Sequence, residues 1–299
     1  MADRIHLDDL ALAPGKEARL ARMLYTYGPG NGTLLVLPYD HGIEHGPIDF
    51  MRNPESADPA HLFELAIDGD YSAIATHYGV AARYFPDYAG EIPLIVKISG
   101  KTNVPPADEA FSALDANVED AVRIGADGIG YTLYVGSPSQ DRDFQQLGRI
   151  RQDCDRFGLP LFVWAYPRGR DVEAKGGRDS LYMVEYGARL AMELGADVVK
   201  VNIPKPRKPD TQYPEAYDEL EDLDLAAKTE RVVRAAQRAL VIFSGGGYKT
   251  DEEFLDNVKM GMEAGANGLI AGRNVWQRPR DEALAMTERL HEILDAHGD

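Results

Sequence analysis

A lysine inside an apolar segment is the strongest chemical signal in this sequence. Lys200 lies in the segment DVVKV, which occupies residues 197–201. Apolar surroundings remove water from an ammonium group and thereby favour the neutral amine. A neutral lysine amine attacks carbonyl carbons and forms Schiff bases. We therefore predict that Lys200 is a nucleophile; the alternatives are a lysine that extends to solvent at a rim or one that binds phosphate.

A polar cluster follows the apolar segment at residues 34–39. Its members are Asp40, His41, Glu44 and His45. Burying such groups costs free energy unless they are hydrogen-bonded, so the cluster is either a well-bonded loop or a site. Together with His77, its two histidines raise the possibility of a zinc site. Gly42 and Gly46 make it unfavourable for His41 and His45 to lie on one face of a helix, so we expect no metal here. We expect the histidines to form hydrogen bonds with a sugar or with the loop itself.

Two glycine-containing segments lie near the C-terminal end of the chain. SGGG occupies residues 244–247 and GRN occupies residues 272–274. Glycine lets backbone amides approach an anion closely, and Arg273 can add a bidentate contact. Each segment alone is also typical of a tight turn. If they follow the seventh and eighth strands of a (β/α)₈ barrel, where barrels often bind phosphate, the pair predicts a phosphate site.

The segment LFVWAY, residues 161–166, contains a candidate for proton transfer. If Tyr166 points into a site at the end of a strand, the period of two places Trp164 and Phe162 on the same side. A tyrosine near a protonated iminium can move a proton to or from carbon or oxygen. We predict this function for Tyr166, with a structural position in the core as the alternative.

A recurring phrase predicts the elements that position these residues. A helix, then Gly-Ala-Asp or Gly-Ala-Asn, then an apolar strand occurs at residues 125–127, 195–197 and 265–267, a period of 70 residues. The glycine suits the end of a helix, and the polar residue suits a short turn. At about 35 residues per strand–helix unit, eight units need about 280 residues. The chain of 299 residues therefore predicts an α/β fold, a single (β/α)₈ TIM barrel.

Apolar segments of the expected length occur throughout the chain, and apolar-periodic segments separate most of them. The clearest predicted helix is 250–264, because Thr250 and Glu253 form a capping box ahead of an i, i+4, i+8 apolar stripe. The predicted strand ends are polar and the strand starts look like plain turns, so we place the site at the carboxyl ends. The predicted strands are 33–39, 73–77, 93–98, 128–134, 160–165, 197–201, 240–243 and 268–271.

One domain is predicted over residues 1–299, because no linker-like break in composition divides the chain. Residues 1–32 form an N-terminal extension ahead of the first strand. Residues 203–224 form an inserted loop whose prolines oppose helix and sheet. We expect this loop to act as a mobile cover over the site, with a rigid, packed insertion as the alternative.

Composition and charge exclude several classes of partner. The chain is 44% apolar and 27% charged, and no segment approaches the ~18 apolar residues of a membrane helix. The lone Cys154 allows no intrachain disulfide. A net charge of −17, with 22 Arg and 10 Lys, disfavours nucleic acid and anionic membranes and is typical of a salt-loaded cytoplasm. We expect a cytoplasmic, halophilic protein that binds neither nucleic acid nor membranes.

Six motifs between about Thr33 and Gln277 contain these residues. They are YDHGIEHGPIDFMRNPESADP (39–59), GYTLYVGS (130–137), VWAYPRG (163–169), GADVVKVN (195–202), SGGGYKTDEEF (244–254) and AGRNVWQR (271–278). Together they make the chain similar to the archaeal-type class I fructose-1,6-bisphosphate aldolases. The resemblance implies Schiff-base chemistry without a cofactor or metal, a sugar-phosphate substrate and a ring-based homo-oligomer, a decamer.

The resemblance also assigns individual residues, motif by motif. It implies that the Schiff-base lysine is Lys200, the proton-transferring tyrosine Tyr166 and the aspartate of the first strand Asp40. The substrate contacts that it implies are His41, His45, Asp49, Trp164, Arg168, Ser244, Gly245, Gly246, Gly272 and Arg273.

Three positions bear on the substrate. Members of the family that make a transaldol-type amino-sugar precursor of aromatic amino acids tend to lack the glutamate and tryptophan found here as Glu44 and Trp164. Many members also carry a basic residue two positions after the lysine, where this chain has Asn202. Binding of the second phosphate then needs another basic residue. The candidates are Lys205, Arg207 and Lys208.

We therefore expect a lyase that cleaves fructose 1,6-bisphosphate reversibly to dihydroxyacetone phosphate and glyceraldehyde 3-phosphate, as in glycolysis and gluconeogenesis. Asp40 is expected to balance the charge of the iminium or to hold a hydroxyl. The alternatives are the related Schiff-base transaldolase, a metal-dependent aldolase that uses His41, His45 and His77, and a non-catalytic sugar-phosphate-binding barrel.

Overall fold

Eight parallel strands close into a barrel in the structure, a computed structural model that describes residues 4–298. Each strand pairs with the next barrel strand in the chain, and the last pairs with the first, so no edge is free. The predicted (β/α)₈ barrel is confirmed, and every predicted strand lies within one residue of an observed strand at both ends. The strands are β1 (Leu34–Tyr39), β2 (Ala73–His77), β3 (Leu94–Lys97), β4 (Gly128–Leu133), β5 (Leu161–Ala165), β6 (Val198–Val201), β7 (Leu240–Ser244) and β8 (Gly268–Ile270).

Alternate side chains of the strands belong to two different cores, because successive residues of a strand point to opposite faces. Outward-facing residues such as Val96 and Val199 pack against the helices. Phe162 and Trp164 face inward, and Tyr166 packs against this inner core. The predicted alternation of the fifth strand is therefore confirmed. The other strand residues of this apolar inner core are Leu34, Val36, Ala73, Ala75, Ile95, Val198, Leu240, Ile242 and Ile270.

Helices lie between the strands, as the barrel requires. The helix predicted at 250–264 is confirmed as Asp251–Glu263, with Thr250 as N-cap and Glu253 completing the capping box. No helix within residues 4–298 is long and apolar enough to cross a membrane. The α-helices are α1 (Pro14–Tyr25), α2 (His41–Glu44), α3 (Pro59–Asp68), α4 (Tyr78–Tyr84), α5 (Val118–Arg123), α6 (Gln140–Phe157), α7 (Arg170–Ala174), α8 (Leu181–Glu193), α9 (Leu225–Ala235), α10 (Asp251–Glu263), α11 (Arg273–Trp276) and α12 (Arg280–Asp295).

Several shorter elements complete the fold. A two-stranded antiparallel sheet, Ser99–Gly100 with Ala113–Leu114, follows β3 and is not indicated by the sequence pattern. The 3₁₀ segments are Leu7–Leu10, Pro47–Phe50, Pro54–Ala57, Phe85–Asp87, Ala107–Glu109, Glu215–Tyr217 and Glu219–Asp222.

The N-terminal extension packs against the amino ends of the strands. Leucines of the first 3₁₀ segment and of α1, among them Leu10 and Leu20, belong to the inner core of the barrel. Asp127, Asp197 and Asn267, which end the three recurring phrases, each accept a hydrogen bond from a backbone N–H of the preceding strand. The extension supplies one further partner to each: Arg22, Lys16 and the Ile5 carbonyl, respectively. The prediction that the strand starts are plain turns is wrong, because the repeats tie the extension to the barrel.

Most residues of the segment 203–224 are exposed, but two of its tyrosines pack against α8. Tyr213 and Tyr217 lie edge-on to Tyr182 of α8, with ring centroids 6.3 Å and 5.0 Å away. Of this segment, residues 203–205 line the cavity at the carboxyl ends of the strands. Beyond Lys205 the aromatic contacts favour the packed insertion over the cover, and the expected mobility of the loop stays a prediction.

Candidate active site

A cavity of about 470 Å³ opens at the carboxyl ends of the strands, where the sequence places the site. Asp49 does not line it but lies next to it, with its carboxylate 2.6 Å from the Nδ1 of His45. The structure brings the other predicted site residues together around this cavity. They are Asp40, His41, His45, Trp164, Tyr166, Arg168, Lys200, Ser244, Gly245, Gly246, Gly272 and Arg273.

Lys200 extends from the end of β6 into this cavity. Its strand pairs with β5 so that Lys200 stands opposite Trp164. The Nζ lies 5.2 Å from the centroid of the Trp164 ring and 5.3 Å from that of the Tyr166 ring. Only 7% of the residue is exposed. The predicted nucleophile and the predicted proton carrier are thus neighbours, and two aromatic rings restrict the directions from which a carbonyl can reach the amine.

Gly130 makes room for the Trp164 indole. A Cβ at this position of β4 would lie 2.9 Å from two ring atoms of Trp164, so a larger residue would displace the ring. The indole Nε1 is buried and has no hydrogen-bond partner among the described residues. Because a buried N–H without a partner costs free energy, this donor is suited to a ligand hydroxyl.

Asp40, Glu44 and Lys97 form an ionic cluster near Lys200, in which Asp40 and Lys97 are buried. The Lys97 Nζ donates to the Asp40 carboxylate at 2.7 Å and also to the Glu44 carboxylate. Burial alone would raise the pKa of Asp40, but nearby positive charge, chiefly that of Lys97, holds it well below its usual value. The charge of Lys200 acts in the same direction, so Asp40 is within electrostatic reach of the amine. Asp40 is therefore a carboxylate, as charge balance at an iminium requires.

Sequence reasoning did not assign Lys97, the last residue of β3, to the site. Its side chain is fully buried. Burial alone would lower the pKa of Lys97, yet the Asp40 and Glu44 carboxylates raise it above its usual value. In the sequence, Lys97 gives the same signal as Lys200, because both lysines lie at the end of an apolar strand. In the structure, Lys97 differs from Lys200 because it binds Asp40 and Glu44, which follow β1.

The histidines after β1 are presented on a helical turn. His41 begins α2, and the backbone N–H of His45 donates to the His41 carbonyl at 2.8 Å. The argument that Gly42 and Gly46 oppose such a presentation is wrong, because a single turn accommodates Gly42 and ends before Gly46. Burial lowers the pKa of His41 to about 3, so its ring is neutral near pH 7.

The residues that could hold a metal differ from the predicted trio. His77 bonds Asp115 through Nδ1 at 2.6 Å, whereas ligand atoms of His41, His45 and Asp49 lie within 4.8 Å of one another. The guanidinium of Arg273 lies 3.8 Å from the Asp49 carboxylate. A cation here would be repelled by Arg273 and would compete with it for Asp49, so the arrangement favours an anion.

The segments after β7 and β8 are held together by hydrogen bonds. Asn274 is fully buried, and its side-chain amide donates to the carbonyls of Gly245 and Gly247. Arg273 donates to the Gly246 carbonyl at 3.2 Å. Sequence reasoning missed Asn274, although its position in the GRN motif was a signal. The two predicted phosphate segments thus form one structural unit.

Gly272 allows close packing at this unit, because a Cβ there would lie within 3.0 Å of His41, Pro38 and Trp276. The Nε of Arg273 is buried and has no partner among the described residues. An unpaired guanidinium N–H beside glycine amides is suited to a phosphate.

A second basic group lies on the loops after β5 and β6, where Arg168, Arg178 and Lys205 line the cavity. The Lys205 Nζ donates to Asp179 at 3.1 Å. The other two candidates for the second phosphate do not line the cavity, because Arg207 pairs with Asp218 and Lys208 with Glu173.

Comparison with known proteins adds independent information. The family model described as DeoC/LacD family aldolase matches residues 34–278. The class 1 fructose-bisphosphate aldolase of Thermoproteus tenax is 41% identical over 264 residues, covering 88% of this chain and 90% of the relative. That of Halobacterium salinarum is 36% identical over 255 residues, covering 85% and 88%.

The fold also matches solved structures. An archaeal fructose-1,6-bisphosphate aldolase, with its catalytic Lys covalently bound to the carbinolamine intermediate of the substrate, is 39% identical to this chain. The match has a TM-score of 0.78 and covers 92% of this chain and 99% of the other.

Proposed function

The chain belongs to the DeoC/LacD family of aldolases, and from that membership we propose that it is a class I aldolase that reversibly cleaves fructose 1,6-bisphosphate to dihydroxyacetone phosphate and glyceraldehyde 3-phosphate. The observation that carries this proposal is the Lys200 amine between Trp164 and Tyr166, in a cavity with basic groups on two sides. The direct test is a turnover assay in which a coupled dehydrogenase detects the triose phosphates. A chain that binds the sugar but releases no triose would be the non-catalytic barrel instead.

Covalent catalysis starts at Lys200. The neutral amine adds to the C2 ketone to give a carbinolamine, which loses water to form an iminium. Asp40 is negatively charged and near Lys200, so it offsets the positive charge that develops at this nitrogen. The iminium then accepts the electron pair of the C3–C4 bond, which breaks and leaves an enamine on the lysine.

Tyr166 carries the proton during bond cleavage. As the C3–C4 bond breaks, the C4 hydroxyl becomes the aldehyde of glyceraldehyde 3-phosphate and loses its proton. The Tyr166 hydroxyl relays this proton to C3 of the enamine, which becomes an iminium again. Water then adds to C2 and releases dihydroxyacetone phosphate and the free amine of Lys200.

We assign the C1 phosphate to the unit formed by the segments after β7 and β8, because C1 is next to the carbon that Lys200 attacks. Replacing Arg273 with alanine is expected to raise the dihydroxyacetone phosphate concentration for half-maximal borohydride trapping by roughly 10- to 150-fold. Loss of a charged hydrogen bond costs about 1.5–3 kcal/mol. Trapping with unphosphorylated dihydroxyacetone is the control and should change little. Equal losses with both ketones would remove Arg273 from the phosphate site.

We assign the C6 phosphate to Arg168, Arg178 and Lys205, which replace the basic residue absent at Asn202. Lys205→Ala is expected to raise the KM for fructose 1,6-bisphosphate about fivefold, a modest effect because the ammonium is exposed and already paired with Asp179. Trapping with dihydroxyacetone phosphate, which lacks this phosphate, should be unaffected. Lys208→Ala is the matched control. If Lys208→Ala raises the KM as much, Lys205 has no specific contact.

Two further observations separate the proposal from its catalytic rivals. Glu44 and Trp164, which transaldol-type relatives tend to lack, both line the cavity.

The positive charge of Arg273 opposes binding of a metal ion, so cleavage of fructose 1,6-bisphosphate should persist after dialysis against EDTA. Assays before and after dialysis measure this, and complete loss with recovery on added zinc would show that a metal is required.

We also propose that the protein works as a cytoplasmic homo-oligomer, a ring-based decamer in keeping with the family resemblance. The net charge of −17 and the relative from Halobacterium salinarum support a salt-rich cytoplasm. Light scattering over a range of KCl concentrations tests the assembly. A monomer at every concentration would contradict it.

A further inference from the structure

Lys97 is the most enclosed charged group near the proposed reaction centre. It ends β3, has no exposed surface and binds the carboxylates of both Asp40 and Glu44. A buried ammonium with two carboxylate partners costs desolvation free energy, so its retention calls for a reason. The mechanism above uses Asp40 and Lys200 but leaves Lys97 without a function.

The ionic cluster controls the charge of Asp40. Both carboxylates approach the same ammonium, so without Lys97 the buried Asp40 and the partly buried Glu44 would face each other with no cation between them. Like charges at such a site disfavour double ionisation, and one acid takes up a proton. The other charged or titratable groups that act on Asp40 are His41, His77 and Lys200. His41 is neutral near pH 7, so it cannot replace Lys97 as the cation.

The indole of Trp164 connects the cluster to the nucleophile. The Nζ of Lys97 lies 5.5 Å from the centroid of this ring, and the Nζ of Lys200 lies 5.2 Å from it. Gly130 permits the arrangement, because a Cβ there would meet both the indole, at 2.9 Å, and the Lys97 Cα, at 3.2 Å. The two amines thus share one aromatic neighbour but differ in their partners: Lys97 has two carboxylates, and no hydrogen bond of Lys200 is present among the described contacts.

We propose that Lys97 is a positioning residue that keeps Asp40 ionised and directed at the Lys200 iminium; the inference rests on the proposed Schiff-base function. Lys97 itself touches no reacting atom. Held between two carboxylates, it stays an ammonium and does not compete with Lys200 for the ketone. Its charge lets Asp40 remain a carboxylate in a buried site, so that the developing iminium has a counter-ion already in place.

Lys97→Met tests this directly, because methionine keeps most of the volume and removes the charge. We expect kcat at neutral pH to fall by about 10²-fold with less than about a threefold change in KM. The acid limb of the kcat–pH profile should move up into the neutral range as the Asp40 pKa rises, because a fall of this size at neutral pH requires most of Asp40 to be protonated there. Lys97→Arg keeps the positive charge, so the acid limb of its kcat–pH profile should lie at the same pH as in the wild-type protein. Lys259→Met, at an exposed lysine of α10, is the surface control.

A double-mutant cycle separates action through Asp40 from a general effect on folding. In an Asp40→Asn background, Lys97→Met should cost less than about threefold in kcat, because the group that it controls is gone. Equal losses in both backgrounds would overturn the proposal, as would an acid limb that does not move. If Lys97→Met fails to fold, the kcat–pH profile of Lys97→Arg decides. A shift of its acid limb, although the positive charge is kept, would contradict the inference. A wild-type chain without turnover would instead refute the proposed function before any variant is compared.

Discussion

Replacing Lys200 with alanine is expected to abolish cleavage of fructose 1,6-bisphosphate, by at least about 10⁴-fold in kcat, together with all borohydride labelling. Removal of a covalent nucleophile gives losses of this order because no other group can form the intermediate. In the wild-type protein, borohydride added with dihydroxyacetone phosphate reduces the iminium to a stable secondary amine. The modified protein is then inactive, and the adduct maps to the peptide that contains Lys200.

The structure gives a specific reason to expect the label on Lys200 rather than on Lys97. Both lysines end buried strands and lie near Trp164, so proximity to the cavity does not distinguish them. Their partners do: the carboxylates of Asp40 and Glu44 hold Lys97 as an ammonium, which cannot attack a carbonyl. Lys200 borders the cavity beside two aromatic rings, and among the described residues no hydrogen bond or ion pair holds its amine.

Peptide mapping by mass spectrometry measures the outcome, and Lys249→Ala is the matched control, since Lys249 also lines the cavity. That variant should still be labelled at Lys200. Labelling at Lys97, or turnover by the wild-type protein without any trappable adduct, would show that the Schiff-base assignment is wrong.

The sequence predicted the barrel well because its signals are local. A buried parallel strand needs an uninterrupted apolar segment, and the Gly-Ala-Asp phrases mark where helices end and strands begin. All eight strands could therefore be placed to within one residue. The same alternation identified the inward face of β5, since Phe162, Trp164 and Tyr166 are two residues apart.

The contacts that sequence reasoning missed join residues far apart in the chain. Asp40 and Lys97 are separated by 57 positions, and their ion pair exists only because β1 and β3 both end at the same rim. The bonds between the three repeats and the N-terminal extension are of the same kind. In residues 203–224 the prolines correctly predicted a segment without α-helix or β-strand, but they gave no sign that Tyr213 and Tyr217 pack against α8.

Tyr166→Phe is expected to keep the fold and the iminium but to lose most turnover. The ring that packs near Lys200 is retained, so borohydride trapping with dihydroxyacetone phosphate should be close to that of the wild-type protein. Without the hydroxyl, no proton reaches C3 of the enamine. General acid–base groups typically contribute ~10²–10⁴-fold, so kcat should fall within that range.

Exchange of the C3 proton isolates this step from the rest of the reaction. In D₂O, the wild-type protein should replace one C3 hydrogen of dihydroxyacetone phosphate with deuterium, which proton NMR follows directly, because enamine formation removes that hydrogen. Tyr166→Phe should slow the exchange by the same ~10²–10⁴-fold as turnover while trapping persists. Tyr186→Phe, at an exposed tyrosine of α8 outside the cavity, is the matched control and should exchange normally. If Tyr166→Phe exchanges at the wild-type rate, another group moves the proton and Tyr166 only packs beside the lysine.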